Sequence, residues 1–325
     1  MGLLPIDLDI LPPSDDRVFK LILTSPEAKP GLISLISSII GRTVVDVVLH
    51  PNELAPGDTE EKAERFDVNC KIDDGSQINL EMQASHMVED LDGQHRNLKG
   101  KSVYYLTDLH SSQPAKGLRR YDRLARSYQI TFCSYTIFPN TSDYANSFSL
   151  RHDTTGEQLS DAISLTFVEL SKLSEVVKKP IGEMTALDKW SVFFQYAPDP
   201  NYREAVNKVI ESEEVLQVAG ELLMSISQNE QERAIFRSRK KFQTDLQSDM
   251  ATAEDRGRAK GLAEGRAEGR AEGRAEGRIE GILASIQSLM ASMGLTMDQA
   301  MNALGVSEED RSACFGLMKN SSGSN

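Results

Sequence analysis

Phe66-Asp67-Val68-Asn69-Cys70-Lys71-Ile72-Asp73-Asp74-Gly75-Ser76-Gln77-Ile78-Asn79-Leu80-Glu81-Met82-Gln83 carries the clearest periodicity in the chain. Apolar Phe66, Val68, Cys70 and Ile72 alternate with Asp67, Asn69 and Lys71. After the Asp-Gly turn, Ile78, Leu80 and Met82 alternate with Gln77, Asn79, Glu81 and Gln83. A period of two is that of a β-strand, so the pattern predicts a hairpin whose strands each carry one apolar and one polar face. A three-residue loop, with Gly75 in the left-handed position, pairs Ile72 with Ser76 and therefore Asp67 with Glu81. A two-residue loop would shift the pairing by one and place Glu81 among apolar residues, at considerable cost. The alternation selects the first register, in which the two carboxylates face each other.

Upstream, Ser14 is expected to cap a helix that begins with Asp15 and Asp16, carries Val18, Phe19, Leu21 and Ile22 on one stripe, and ends at Pro26. Leu32, Leu35, Ile36, Ile39 and Ile40 predict a second helix closed by Gly41. Thr43 to Leu49 is rich in β-branched residues and reads as a strand, and Pro51 to Glu64, with five acids, as an exposed loop. Downstream, Lys99 to Leu109 and Leu118 to Arg126 read as helices and Tyr128 to Phe138 as a long strand. Phe148 to Leu150 and Leu165 to Leu170 read as further strands.

After Pro180 the chain reads as helical to about Ala253, with Trp190, Phe193, Phe194, Val206, Ile210, Val215, Leu222 and Leu223 as a second apolar set. From Ala263 to Arg278 the unit Ala-Glu-Gly-Arg occurs four times in succession. The expected organisation is an α/β domain over 1–175, a helical region over 176–253, a repeat segment over 254–282 and a small helical region over 283–325.

The formal net charge of −13 argues against a general nucleic-acid coat. Local charge differs: from Arg96 to Arg126, eight bases stand against Asp108 and Asp122. Cys70, Cys133 and Cys314 are too scattered for a disulfide framework or a zinc site, and His50, His86, His95, His110 and His152 have no ligand spacing. No apolar run approaches the ~20 residues that cross a bilayer. The first residues carry acids where a secretion signal would carry bases, so a cytoplasmic protein is expected.

Hydrolysis of a phosphodiester needs a hard cation to polarise phosphoryl oxygen and lower the pKa of water, and carboxylate oxygens are the ligands Mg²⁺ takes. Asp67 and Glu81 facing each other on a hairpin could supply them, with Gln83 orienting water or a phosphate oxygen. On spacing alone, an Asp followed fourteen residues later by Glu-x-Gln is a weak pattern, and a solvated strand face accounts for it as well.

The sequence resembles the Rpn family of recombination-promoting nucleases and transposases, a branch of the PD-(D/E)XK nuclease superfamily. The resemblance covers roughly residues 10 to 175. It rests on Asp16-Arg17-Val18-Phe19-Lys20, on Asp67 before the Asp-Gly turn, and on Ile78-Asn79-Leu80-Glu81-Met82-Gln83. Lys101-Ser102-Val103-Tyr104-Tyr105 is similar to the family's R-x-x-Y-Y helix with Lys in place of Arg, while Gly117 to Tyr121 and Phe167 to Lys172 match later landmarks.

The resemblance implies a restriction-endonuclease-like mixed central sheet flanked by helices. In it Asp67 and Glu81 ligate a metal, Gln83 stands in the superfamily's Lys position, and Asp16 and Lys20 contribute an acid and a phosphate contact from the first helix. DNA contacts are expected from Arg96, Lys101, Tyr104, Tyr105, Arg119, Arg120 and Arg123. The implied activity is a Mg²⁺-dependent DNA endonuclease, with Mn²⁺ or Ca²⁺ as other candidate cations, linked to recombination, transposition or phage defence. Cutting both strands of a duplex with one site per subunit further predicts a homodimer or higher homo-oligomer. The competing reading is a catalytically idle DNA-binding or oligomeric scaffold on the same fold.

Overall fold

The computed structural model describes residues 4–50, 68–84, 91–113 and 120–322, the side chains of 91–96 and 318–322 excepted. In chain order the elements are helices α1 (Asp16–Thr24) and α2 (Lys29–Ile40) and strands β1 (Val47–Leu49), β2 (Val68–Ile72) and β3 (Gln77–Gln83). Helix α3 (Leu91–Ser111) follows, then strands β4 (Ser127–Cys133), β5 (Ala145–Arg151) and β6 (Gln158–Glu169). The rest is helical: α4 (Ala186–Tyr196), α5 (Arg203–Glu211), α6 (Glu214–Gln228), α7 (Glu230–Met293), α8 (Met297–Ala303) and α9 (Glu308–Ser322).

The strands form one mixed sheet of order β1-β2-β3-β4-β6-β5, in which β3, β4 and β6 run parallel and the remaining pairs antiparallel. The β2–β3 hairpin has the register that its alternation selects. Val68 pairs with Leu80, Cys70 with Ile78 and Lys71 with Gln77, and the Ile72 N–H donates to the Ser76 carbonyl at 3.0 Å. Gly75 has φ of 91°, which an L side chain adopts only with strain.

The apolar face of the hairpin, with Val68, Cys70, Ile78, Leu80 and Met82, packs beneath α1 and α2 in the main core. Phe19 stands 5.7 Å from Phe132 and 5.2 Å from Phe194, ring to ring. Trp190, Phe193, Phe194, Val206, Ile210 and Leu223 join that same core, so α4, α5 and α6 close over the sheet within one compact unit, 1–244; the second unit is 245–325. Gly31 in α2 is required by this closure, because a Cβ there would lie 3.2 Å from the Trp190 indole. Gly31→Leu is therefore expected to destabilise the protein by about 1–3 kcal/mol through overpacking, read by urea denaturation. An unchanged midpoint would mean that α2 and α4 do not meet this tightly.

Local departures from the sequence reading have identifiable causes. Asp15 caps α1 in place of Ser14, its carboxylate accepting from the Arg17 and Val18 N–H groups. The strand expected over Thr43 to Leu49 is confined to β1, and the Val45 N–H donates instead to the Asp73 carboxylate at 3.0 Å. The strand expected to reach Phe138 stops at Cys133, since the Ile137 and Phe138 N–H groups donate to the Glu169 carboxylate. Of the helix expected at Leu118 to Arg126, the described part holds only a 3₁₀ turn at Tyr121–Arg123 with no buried residue. An element with nothing to bury gains little from tertiary packing. Pro51 to Glu64 lies outside the described residues.

In the second unit, the Ala-Glu-Gly-Arg repeat lies within α7 and every residue of 263–278 is exposed. Beyond it, Ile286, Ala300, Met301, Val306 and Cys314 form a separate small core. No helix among the described residues is long and apolar enough to cross a membrane.

Candidate active site

The other face of the sheet is polar yet covered. Leu98, Ser102, Leu106 and Leu109 recur at three- and four-residue spacing, the buried stripe that docks α3 over β3, β4 and β6. Beneath it the alternation leaves Asn79 and Glu81 on β3 and Gln129 and Thr131 on β4, all buried. Asn79 Nδ2 donates to Gln129 Oε1 at 2.8 Å, and the Ser102 and Thr131 hydroxyls are 3.3 Å apart. At the turn end of the layer the His110 ring lies 3.0 Å from the Ser127 hydroxyl, and burial pushes its pKa down.

Glu81 is the chemically unusual member. It is 3% exposed, and one carboxylate oxygen, Oε2, is buried with no hydrogen-bond partner among the described residues. The other, Oε1, lies 3.4 Å from the Lys101 ammonium, which α3 brings down from above and which also stands 5.1 Å from the Tyr105 ring centroid. Burial pushes the Glu81 carboxyl above the ordinary glutamate range, and Lys101 pulls it partly back.

A second buried glutamate provides the contrast. Glu169 at the end of β6 is fully buried, but its oxygens accept from Ile137 N at 2.5 Å, Phe138 N at 3.0 Å, Asn146 Nδ2 at 2.8 Å and Lys172 Nζ at 2.7 Å. Glu169 and Lys172 thus staple the segment after β4 to β6. Glu81 is left with the capacity to bind something further.

The remaining expected site residues are distributed as follows. Gln83 lies two residues beyond Glu81 on the same face, half-buried. Asp67 lies outside the described residues. Asp16 takes Arg239 of α7 as its partner at 2.6 Å, and Arg17 takes Glu232 at 2.7 Å, so the start of α1 is tied to the start of α7. Lys20 is half-buried and has no ion pair among the described residues, while Phe19 between them is core.

Lys101, expected among the DNA contacts, lies beside Glu81. Tyr104 is exposed and Tyr105 half-buried, their rings 6.0 Å apart. Arg120 is engaged by Asp122 and Arg123 is exposed on the 3₁₀ turn. Arg119 and the Arg96 side chain lie outside the described set. Asn79, Gln129 and the Lys101–Glu81 pair were not singled out by sequence; their signal was the polar parity of β3 and β4, which leaves open what covers it.

Among the described residues no three His, Cys, Asp or Glu side chains cluster as a metal-binding group. The donor that is present fits a hard divalent cation: an oxygen ligand, held on a central strand, buried and unsatisfied. A mixed sheet whose central hairpin bears such an acid, with helices on both faces, is the architecture of a PD-(D/E)XK nuclease domain. The chain belongs to the PD-(D/E)XK nuclease family transposases, whose sequence model matches residues 13–253. No curated protein and no solved structure matches it. The match extends through the helices that complete the main core and past the Asp16–Arg239 tie.

Proposed function

We propose that this nuclease-family protein is a divalent-cation-dependent DNA endonuclease of the cytoplasm, serving recombination, transposition or phage defence. The observation that carries the reading is the unsatisfied, buried Glu81 oxygen on β3, in contrast to the fully bonded Glu169 on the same sheet. Glu81 and Asp67 would hold Mg²⁺, or Mn²⁺ or Ca²⁺ in its place. The ion would supply polarisation of a phosphoryl oxygen and a more acidic water.

The chain's own residues do the rest. Gln83, on the same strand face, hydrogen-bonds the attacking water or a phosphate oxygen. Lys101, already beside Glu81, offers positive charge to the phosphate, and α3 keeps bulk water from the floor of the site. Water adds to phosphorus, the bond to the leaving sugar oxygen breaks, and that oxygen takes up a proton. Supercoiled plasmid is expected to be nicked or linearised in Mg²⁺ and left intact in chelator. If it is left intact with every divalent cation, the idle-scaffold reading takes over.

Cation binding has a readout separate from cleavage. A saturating divalent cation at about 100 times its Kd should stabilise the folded protein by ~2.7 kcal/mol, seen as a rise in melting temperature. Asp67→Ala and Glu81→Gln should each lose most of that rise. A rise equal to the parent's in both variants would place the ion elsewhere. For duplex cleavage two copies would act together, and light scattering that finds a monomer at micromolar concentration with and without DNA would count against this.

A further inference from the structure

Away from Glu81, at the turn end of the β2–β3 hairpin, a pocket of about 440 Å³ opens between the strands and the end of α3. His50, Lys71, Gln77, Gln113 and Arg123 line it. Lys71 and Arg123 are both exposed and have no carboxylate partner among the described residues. His50 Nε2 is buried without a hydrogen-bond partner among the described residues. The acids closest in sequence are engaged elsewhere: Asp74 with Arg42 at 2.6 Å, Asp73 with the Val45 N–H at 3.0 Å, and Asp122 with Arg120. The pocket therefore carries positive charge that no described carboxylate neutralises.

Its wall is also fixed in place. Gln113 donates to the Ala125 carbonyl at 2.9 Å and to Ser127 Oγ at 2.8 Å, and accepts from the Ala125 N–H at 2.9 Å. These bonds lock the segment that carries Arg123 to the end of α3. His50 is held against β2 by its N–H, which donates to the Asn69 carbonyl at 2.8 Å. Two cations and an unpartnered imidazole nitrogen on a braced wall suit an oxyanion with several acceptor oxygens.

We infer that this pocket is a second phosphate site, holding a non-scissile backbone phosphate of the DNA that the Glu81 site cleaves. The inference rests on the nuclease reading proposed above. Lys71 pairs with Gln77, and Gln77, Asn79 and Glu81 share one face of β3, so the pocket and Glu81 lie on the same side of the sheet. Gln77 and Glu81 are four residues apart, about 13 Å at ~3.3 Å per residue. The strand winds about its axis as it rises ~3.4 Å per nucleotide, so consecutive phosphates lie roughly twice that far apart in space, and the pocket would meet a phosphate about two steps from the scissile one. Its task is register: it fixes where along the strand the reactive phosphate falls, with no demand on base sequence.

The test uses the full chain carrying Glu81→Gln, so that binding is read without cutting, with and without Lys71→Ala and Arg123→Ala together. Both added positions are exposed, so melting temperature is expected to be unchanged, which controls for folding. With a short duplex, the slope of log affinity against log salt should flatten by about 1, as expected for the loss of one phosphate contact, and affinity at low salt should fall ~10-fold or more. A neutral methylphosphonate about two steps from the cleavage position should weaken binding to the protein with Lys71 and Arg123 present, and have little further effect once they are removed.

An unchanged salt slope, or a methylphosphonate effect that is the same in both proteins, overturns the inference. So does tight binding of inorganic phosphate that depends on Lys71 and Arg123 while DNA affinity does not, since the pocket would then serve a free anion. Should Glu81→Gln still cut DNA while the double variant loses salt slope, the catalytic reading fails and the phosphate site stands.

Discussion

Glu81→Gln is expected to reduce cleavage by about 10³-fold or more while leaving the protein folded and able to bind DNA. A charge-stabilising contact worth ~4 kcal/mol in the transition state corresponds to about that factor, and Gln keeps the shape of Glu without its charge. The same substitution should raise stability when divalent cations are chelated. Burial holds the Glu81 carboxyl pKa above its unfolded value, so its favourable contribution is present at pH below the ordinary glutamate range and is lost as pH rises through the raised value. The parent should thus lose stability relative to Glu81→Gln as pH rises towards neutral in chelator, and regain it when Mg²⁺ is added. Parent-like cleavage by the variant would remove Glu81 from the active site.

Glu169→Ala is expected to do the opposite, costing about 3–5 kcal/mol of stability, a large share of the ~5–15 kcal/mol that holds a typical domain folded. The substitution leaves the Ile137 and Phe138 N–H groups without their acceptor, and strands Lys172, whose side chain is 10% exposed, without its counter-charge. Among the described residues Lys172 then keeps the carbonyls of Phe138 and Asp143, at 2.8 and 3.2 Å. Urea denaturation of the purified variant measures the loss. A change below ~1 kcal/mol would mean that the staple contributes little. A Glu169→Gln, Lys172→Met pair should recover part of it, because the buried charge is then removed from both sides.

These two glutamates bear on how much could be read without the structure. Both occur in short motifs that mark the family, Glu-Met-Gln and Glu-Leu-Ser-Lys, and by composition neither is more functional than the other. What separates them is the count of donors around each carboxylate. Apart from Lys172, three residues on, those donors come from Ile137, Phe138 and Asn146 for Glu169 and from Lys101 for Glu81, residues 20 to 32 positions away along the chain. The segment expected as a helix at Leu118 to Arg126 shows the same difficulty from the other side: its charges do not reveal that, among the described residues, Arg120 pairs locally with Asp122 while Arg123 lines a pocket.

By itself the sequence determined the hairpin and its register, because a period of two combined with a buried apolar face permits only one pairing that keeps acids out of the core. It also determined the C-terminal stop of α2 at Gly41, whose φ of 71° favours glycine. It took the packed fold to show that the polar face is roofed by α3 and not solvated, that Lys101 belongs to Glu81, and that α4 to α6 complete the core of the sheet. The physical reason is the same in each case. Strand parity and turn geometry are local and act over a few residues, while the cover a polar face receives, and the donors left to a buried carboxylate, depend on elements that meet only once the whole unit has packed.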